Sequence, residues 1–95
     1  MPEMLQVLTL STAHLTPAVA AELDDAETTT WRKLILCAPW FGYGWWVWVP
    51  EDRATWDEVP ACLATIFRFA NRLGATFVKL DQDAETVLGM PVYDW

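Results

Sequence analysis

Arg32-Lys33-Leu34-Ile35-Leu36-Cys37-Ala38, the linker Pro39-Trp40-Phe41-Gly42, and Tyr43-Gly44-Trp45-Trp46-Val47-Trp48-Val49 form the stretch on which the fold turns. The two apolar runs read as strands, halted by Pro39 and by Pro50, and the glycine-bearing linker between them predicts a hairpin. A sheet with one solvated face alternates apolar and polar residues, yet these strands are apolar at nearly every position. Their second face is therefore expected to be covered, by the C-terminal tail, by a second copy of the chain or by a foreign partner. Side-chain alternation puts Tyr43, Trp45, Val47 and Val49 on one side and Trp46 and Trp48 on the other. One set is expected under helices, and the other in an interface or beneath the tail.

Working outward, Met4 to Leu10 is a short apolar run ending at the turn-prone Ser11-Thr12, and reads as strand one. Thr16-Pro17 is a cap and first-turn signal for a short helix through Leu23, before the acidic, threonine-rich residues 24–30. Asp57 is an expected N-cap with Pro60 at the third helical position. Val59, Cys62, Leu63, Ile66, Phe69, Ala70 and Leu73 then share one face, and Gly74 closes the helix. Thr76 to Leu80 reads as strand four, and Thr86 to Leu88 with Pro91 to Tyr93 as a short fifth strand. The order βαββαβ predicts an α+β fold in which residues 1–95 form a single two-layer domain. Its antiparallel sheet would have four to five strands with two helices on one face, as in split βαβ, ferredoxin-like proteins.

Composition narrows the function classes. The chain is 54% hydrophobic with seven tryptophans, which excludes a largely disordered protein. It has no apolar run near the roughly 18 residues of a membrane span, so no membrane partner is expected. Met1-Pro2-Glu3 lacks the basic start of a secretory signal, and a cytoplasmic location follows as an expectation. Cys37 and Cys62 lack paired metal or redox spacing and read as reduced core thiols. Thirteen acidic residues against six basic ones give a net charge of −7, which repels phosphate backbones and argues against direct nucleic-acid binding. The acids group as Glu22, Asp24, Asp25 and Glu27; as Glu51, Asp52, Asp57 and Glu58; and as Asp81, Asp83 and Glu85. They read either as solvated turns or as a surface offered to a basic partner protein.

Two constellations invite chemistry. His14 beside Ser11 and Thr12 suggests a nucleophile and base, but no strained nucleophile turn surrounds Ser11, so Ser11 or Thr12 reads as a loop or cap hydroxyl and His14 as a hydrogen-bonded structural residue. Asp81-Gln82-Asp83-Ala84-Glu85 places three carboxylates in one turn. With His14 they outline the alternative of a small metal-dependent hydrolase or nuclease, against the simpler reading of a polar turn. No catalytic residue, metal or cofactor is expected on the favoured reading. The residues expected to meet a partner are Trp46 and Trp48 in the centre, with Asp24, Asp25, Glu51 and Asp52 around them.

Ser11-Thr12-Ala13-His14, Tyr43-Gly44-Trp45, Asp81-Gln82-Asp83-Ala84 and the ending Leu88-Gly89-Met90-Pro91-Val92-Tyr93-Asp94-Trp95 give the chain a resemblance along nearly its whole length. It looks like a family of small uncharacterised proteins of bacteriophages, plasmids and other mobile elements, known only as a domain of unknown function. The resemblance implies a setting and no mechanism. An acidic accessory protein that binds a host or element-encoded protein fits that setting, for instance an inhibitor of a bacterial defence nuclease in the manner of anti-CRISPR nucleic-acid mimics. A self-associating subunit, with a homodimer as its simplest form, is the third expectation.

Overall fold

The computed structural model describes residues 3–25 and 31–94. Met4 and Leu5 remain exposed, so the first strand is shorter than its apolar run: β1 is Val7–Ser11. Thr16 caps α1 (Pro17–Leu23) by accepting a hydrogen bond from the Val19 N–H at 3.2 Å, with Pro17 in the first turn where its missing donor is harmless. Trp31–Leu34 form a 3-10 turn, which takes in Arg32, Lys33 and Leu34, the residues expected to open strand two. β2 is Cys37–Trp40 and runs through Pro39 instead of stopping before it.

Register explains why proline is tolerated there. β3 (Gly44–Trp48) pairs antiparallel with β2, Cys37 opposite Val47 and Pro39 opposite Trp45. The Trp48 N–H donates to Leu36 O at 2.9 Å, which fixes Leu36, Ala38 and Trp40 as the residues that exchange bonds with β3. Pro39 falls between them, on an edge strand, where its nitrogen faces away from the ladder.

The helix expected from an Asp57 cap to Leu73 begins later, at Ala61, and a separate short helix precedes Asp57. Asp52 caps α2 (Arg53–Trp56), accepting from the Ala54 N–H at 3.0 Å, and Asp57 ends that helix instead of starting the next. Pro60 disfavours helical backbone at Val59, so α3 is Ala61–Arg72. Its buried face is Cys62, Leu63, Ala64, Ile66, Phe67 and Ala70, while Leu73 is exposed; Gly74 follows with φ of 77°, the left-handed closure expected of it.

β4 (Phe77–Asp81) completes a four-stranded sheet of order β1-β4-β3-β2. β1 lies parallel to β4, Val7 opposite Phe77, and β4 lies antiparallel to β3. The fold is α+β, and apart from the additional helix α2 its strands and α-helices follow the expected order along the chain, but the sheet is mixed and not antiparallel, and its strand order is not the split βαβ one. β1 alternates, with Val7 and Thr9 exposed and Leu10 buried, a pattern suited to an edge position.

One cluster of buried side chains joins Leu10, Val47, Val78 and Leu80 of the sheet to Val19 and Leu23 of α1 and to Leu63, Ile66 and Phe67 of α3. All the helices thus cover one face. Phe67 is fully buried at its centre, and truncating such a ring to alanine costs about 3–5 kcal/mol. Among the described residues no fifth strand forms: the tail lies irregularly on the helical side, fastened to the turn after β1. No helix of the described residues is long and apolar enough to cross a membrane.

Candidate functional site

Alternation along β3 and β4 aims two sets of side chains in opposite directions. Val47, Val78 and Leu80 enter the core, and Trp45 packs against it from the same side. Trp46, Trp48, Phe77 and Lys79 face the other way, as the period of two requires. The register lays this second face out in rows: Val7, Phe77, Trp48 and Leu36; then Thr9, Lys79, Trp46 and Ala38; then Asp81, Gly44 and Trp40.

The rings on this face form a continuous chain. Phe41 meets Trp40 at 5.0 Å, Trp40 meets Trp46 at 5.5 Å, Trp46 meets Phe77 at 6.2 Å and Phe77 meets Trp48 at 4.4 Å. The steep interplanar angles set ring edges against ring faces, the arrangement that ring quadrupoles favour. Lys79 Nζ lies 4.2 Å from the Trp40 ring centroid and 3.7 Å from Asp81 Oδ2, so the only cation in these rows is held by both. Leu36, Trp46, Trp48 and Phe77 border an apolar depression of about 240 Å³.

The tail, as far as it is described, does not cover this face. Trp48 is 41% exposed, Leu36 68% and Phe41 82%. The indoles divide accordingly. On the helical side, Trp31 donates to Glu22 at 2.7 Å, Trp45 to Asp24 at 2.8 Å and Trp56 to Pro50 O at 2.9 Å. On the open side, no described residue accepts a hydrogen bond from the indole N–H of Trp40, Trp46 or Trp48.

Phe41 sits at the tip of the β2–β3 hairpin in an unusual backbone conformation. The Tyr43 N–H donates to Trp40 O at 2.7 Å, and the two central residues of that turn, Phe41 and Gly42, have φ of 44° and 77°. Positive φ at both positions is what a type I′ hairpin turn requires, and Asn-Gly is its usual occupant. A phenylalanine there is strained, and its ring is also the most exposed of the chain's described aromatics. Next to the turn, a side chain on Gly44 would collide with the Leu80 carbonyl of β4.

The residues expected to meet a partner fall in different places. Trp46 and Trp48 are both on the open face. Asp24 accepts the Trp45 indole and Asp52 caps α2, so each has a structural task, while Asp25 and Glu51 are exposed. Asp24 and Asp25 belong to the hairpin end of the sheet and Glu51 and Asp52 to the opposite end, three and four residues past β3. Glu27 lies outside the described residues. Sequence reasoning missed Trp40, Phe41 and Phe77; the signal for Phe41 was a bulky residue before glycine at a hairpin tip.

The alternative constellation is not assembled. His14 is buried and both ring nitrogens are engaged by the tail: the Val87 N–H donates to Nε2 at 2.9 Å, so the ring proton resides on Nδ1, which donates to Pro91 O at 2.8 Å. Ser11 Oγ accepts from the Ala13 N–H at 3.1 Å as a cap. Asp81 accepts the Asp83 N–H at 2.9 Å through Oδ1 in a side-chain-to-backbone turn and faces Lys79 through Oδ2. Among the described residues no three acidic, histidine or cysteine side chains converge as a metal site, so Asp81, Asp83, Glu85 and His14 are not brought together. Cys37 is half-buried; burial above all pushes its thiol up to about 11, with Arg32 opposing and Asp24 assisting, so it stays protonated at neutral pH.

Comparison with known proteins gives a family without a mechanism. No curated protein matches this chain, and no solved structure does. Over residues 7–95 the chain belongs to a family of unknown function (DUF5983), matching the C-terminal domain of that family.

Proposed function

We propose that this chain is a non-enzymatic protein-binding domain whose contact surface is the open sheet face, centred on Trp46, Trp48 and Phe77 and extended by Trp40 and Phe41. The observation that carries this reading is the uncovered chain of five rings, three of whose indole donors have no acceptor among the described residues. Aromatic side chains with an apolar body and an unspent donor are the usual anchors of protein interfaces. Strain at Phe41 supports the same reading, because strained backbone persists mainly where function requires it.

The partner is a protein with an apolar side chain for the depression beside Trp48 and with basic residues around it. Net charge of −7 and acids at both ends of the sheet attract such a surface and repel a second copy of the chain. Pro39 also removes an outward donor from the β2 edge, which disfavours edge-to-edge pairing. Proteins that grip nucleic acid are rich in basic surface, so an inhibitor of such a protein, acting for a phage or other mobile element in the cytoplasm, is the setting in which these features fit together.

Site-specific photo-crosslinking in the producing cell tests this. A benzophenone side chain at position 41 or 48 should capture one protein of basic surface, lost on Trp46→Ser, whereas the same group at Ala18 on the helical side should not. Capture of this chain alone, or equal capture from position 18, overturns the proposal.

A further inference from the structure

Arginine is distributed unevenly in this acidic protein. Of its six basic residues, three line one depression of about 370 Å³ between α2 and α3, on the helical side of the molecule. Arg68, Asn71 and Arg72 occupy one face of α3 at steps of three and four, and Arg53 reaches across from α2. Among the described residues the only carboxylate in the lining is Asp57, which leaves a local excess of two positive charges there in a chain of net −7.

Two of the three guanidiniums have partners within the lining. Arg68 Nη2 donates to Asp57 Oδ1 at 3.2 Å, and the Arg53 guanidinium sits 5.7 Å from the centre of the Trp56 ring. Trp56 is itself fixed, buried and bonded to Pro50 O. Asp52, next to Arg53, is turned to the Ala54 N–H as a cap. Convergent arginines with a neutral amide donor suit a tetrahedral oxyanion, since each guanidinium fork matches two oxygens. Charges farther away, which are mostly acidic, are screened beyond about 8 Å at physiological ionic strength.

We infer that Arg53, Arg68, Asn71 and Arg72 form a binding site for a phosphate group. The site is separate from the open sheet face and does not rest on the function proposed for it. Its ligand is a small phosphorylated molecule or phosphate itself; a nucleic-acid strand is disfavoured by the net charge of the whole chain.

Nuclear magnetic resonance of the labelled chain decides the matter, with inorganic phosphate, adenosine monophosphate, acetate and chloride added at matched ionic strength. Phosphate should give saturable shifts at millimolar concentration or below, confined to residues 53–57 and 68–72. A tenfold preference for the nucleotide would assign the group to a nucleotide, and equal affinities would assign it to phosphate itself; both support the site. Arg68→Gln with Arg72→Gln should weaken binding at least tenfold, Lys33→Gln should not, and Asp57→Asn should tighten it. Shifts that are the same for phosphate, acetate and chloride, or unchanged phosphate binding by the double variant, overturn the inference.

Discussion

Phe41 opposes two effects whose magnitudes can be compared. A left-handed backbone costs a bulky residue roughly 1–2 kcal/mol, and asparagine, which tolerates that region, recovers most of it. Against this stands the edge contact with Trp40, worth about 0.5 kcal/mol for a ring this exposed. Phe41→Asn should therefore stabilise the fold by roughly 0.5–1 kcal/mol, raising Tm by a few degrees, while weakening partner capture. A melt and a binding measurement on the same variant check both signs. Cys37 gives a second test at this scale. Its folded thiol, at about 11, lies above the ordinary value of 9.0, so the folded form keeps its proton where the unfolded chain has begun to lose it. The linkage runs one way: its contribution is intact below about pH 9 and declines as pH rises toward about 11. Cys37→Ala should flatten that part of the alkaline stability profile, measured by urea melts from pH 8 to 11. The composition of these residues was legible in the sequence; the strain at residue 41 was not, because φ at a turn depends on the register of the strands it joins.

At the scale of elements, caps and alternation were read correctly where the signal was local. Thr16-Pro17 begins α1, Gly74 closes α3, and Trp46 and Trp48 face away from Val47. Errors arose where a local signal had two uses. Pro39 stops a central strand but is neutral at an outward position of an edge strand, and Asp57 resembles an N-cap although it ends α2, while Pro60 precedes α3 without a side-chain cap. The tail was beyond local reading altogether, since Pro91-Val92-Tyr93 looks β-forming and is instead fixed by one imidazole 77 residues away and by the Tyr93 N–H to Ala13 O bond at 2.9 Å. His14→Ala should remove both imidazole bonds to the tail, to Pro91 O and from the Val87 N–H, and cost about 1–3 kcal/mol. Amide exchange at Val87 should then accelerate about tenfold or more, while that at Val78 in β4 should accelerate only as much as global stability falls. Unchanged exchange at Val87 would mean that the imidazole does not hold the tail.

For the whole molecule, chain order was legible and spatial order was not, because βαββαβ connections fit more than one sheet and only long-range pairing of β1 with β4 chooses among them. The same limit applied to the candidate site: alternation separated two sets of tryptophans, but which set stayed uncovered depended on where the tail ran. With the faces assigned, rings and charges should make different contributions to partner binding. Buried rings act mainly on dissociation, whereas charges at the rim steer the encounter and weaken with salt. Asp24 and Asp52 are poor probes of steering because each holds a structural hydrogen bond; Glu51 is exposed three residues past β3. Glu51→Lys should therefore slow association, reduce its dependence on ionic strength and leave dissociation nearly unchanged. Trp48→Ser should do the reverse, speeding dissociation by about 30-fold or more for a loss of ~2 kcal/mol, with association barely altered. Surface plasmon resonance at three salt concentrations, with the partner captured by photo-crosslinking, separates the two. If both variants changed only the association rate, the rings would not be buried in the complex, and the open sheet face would lose its place as the binding surface.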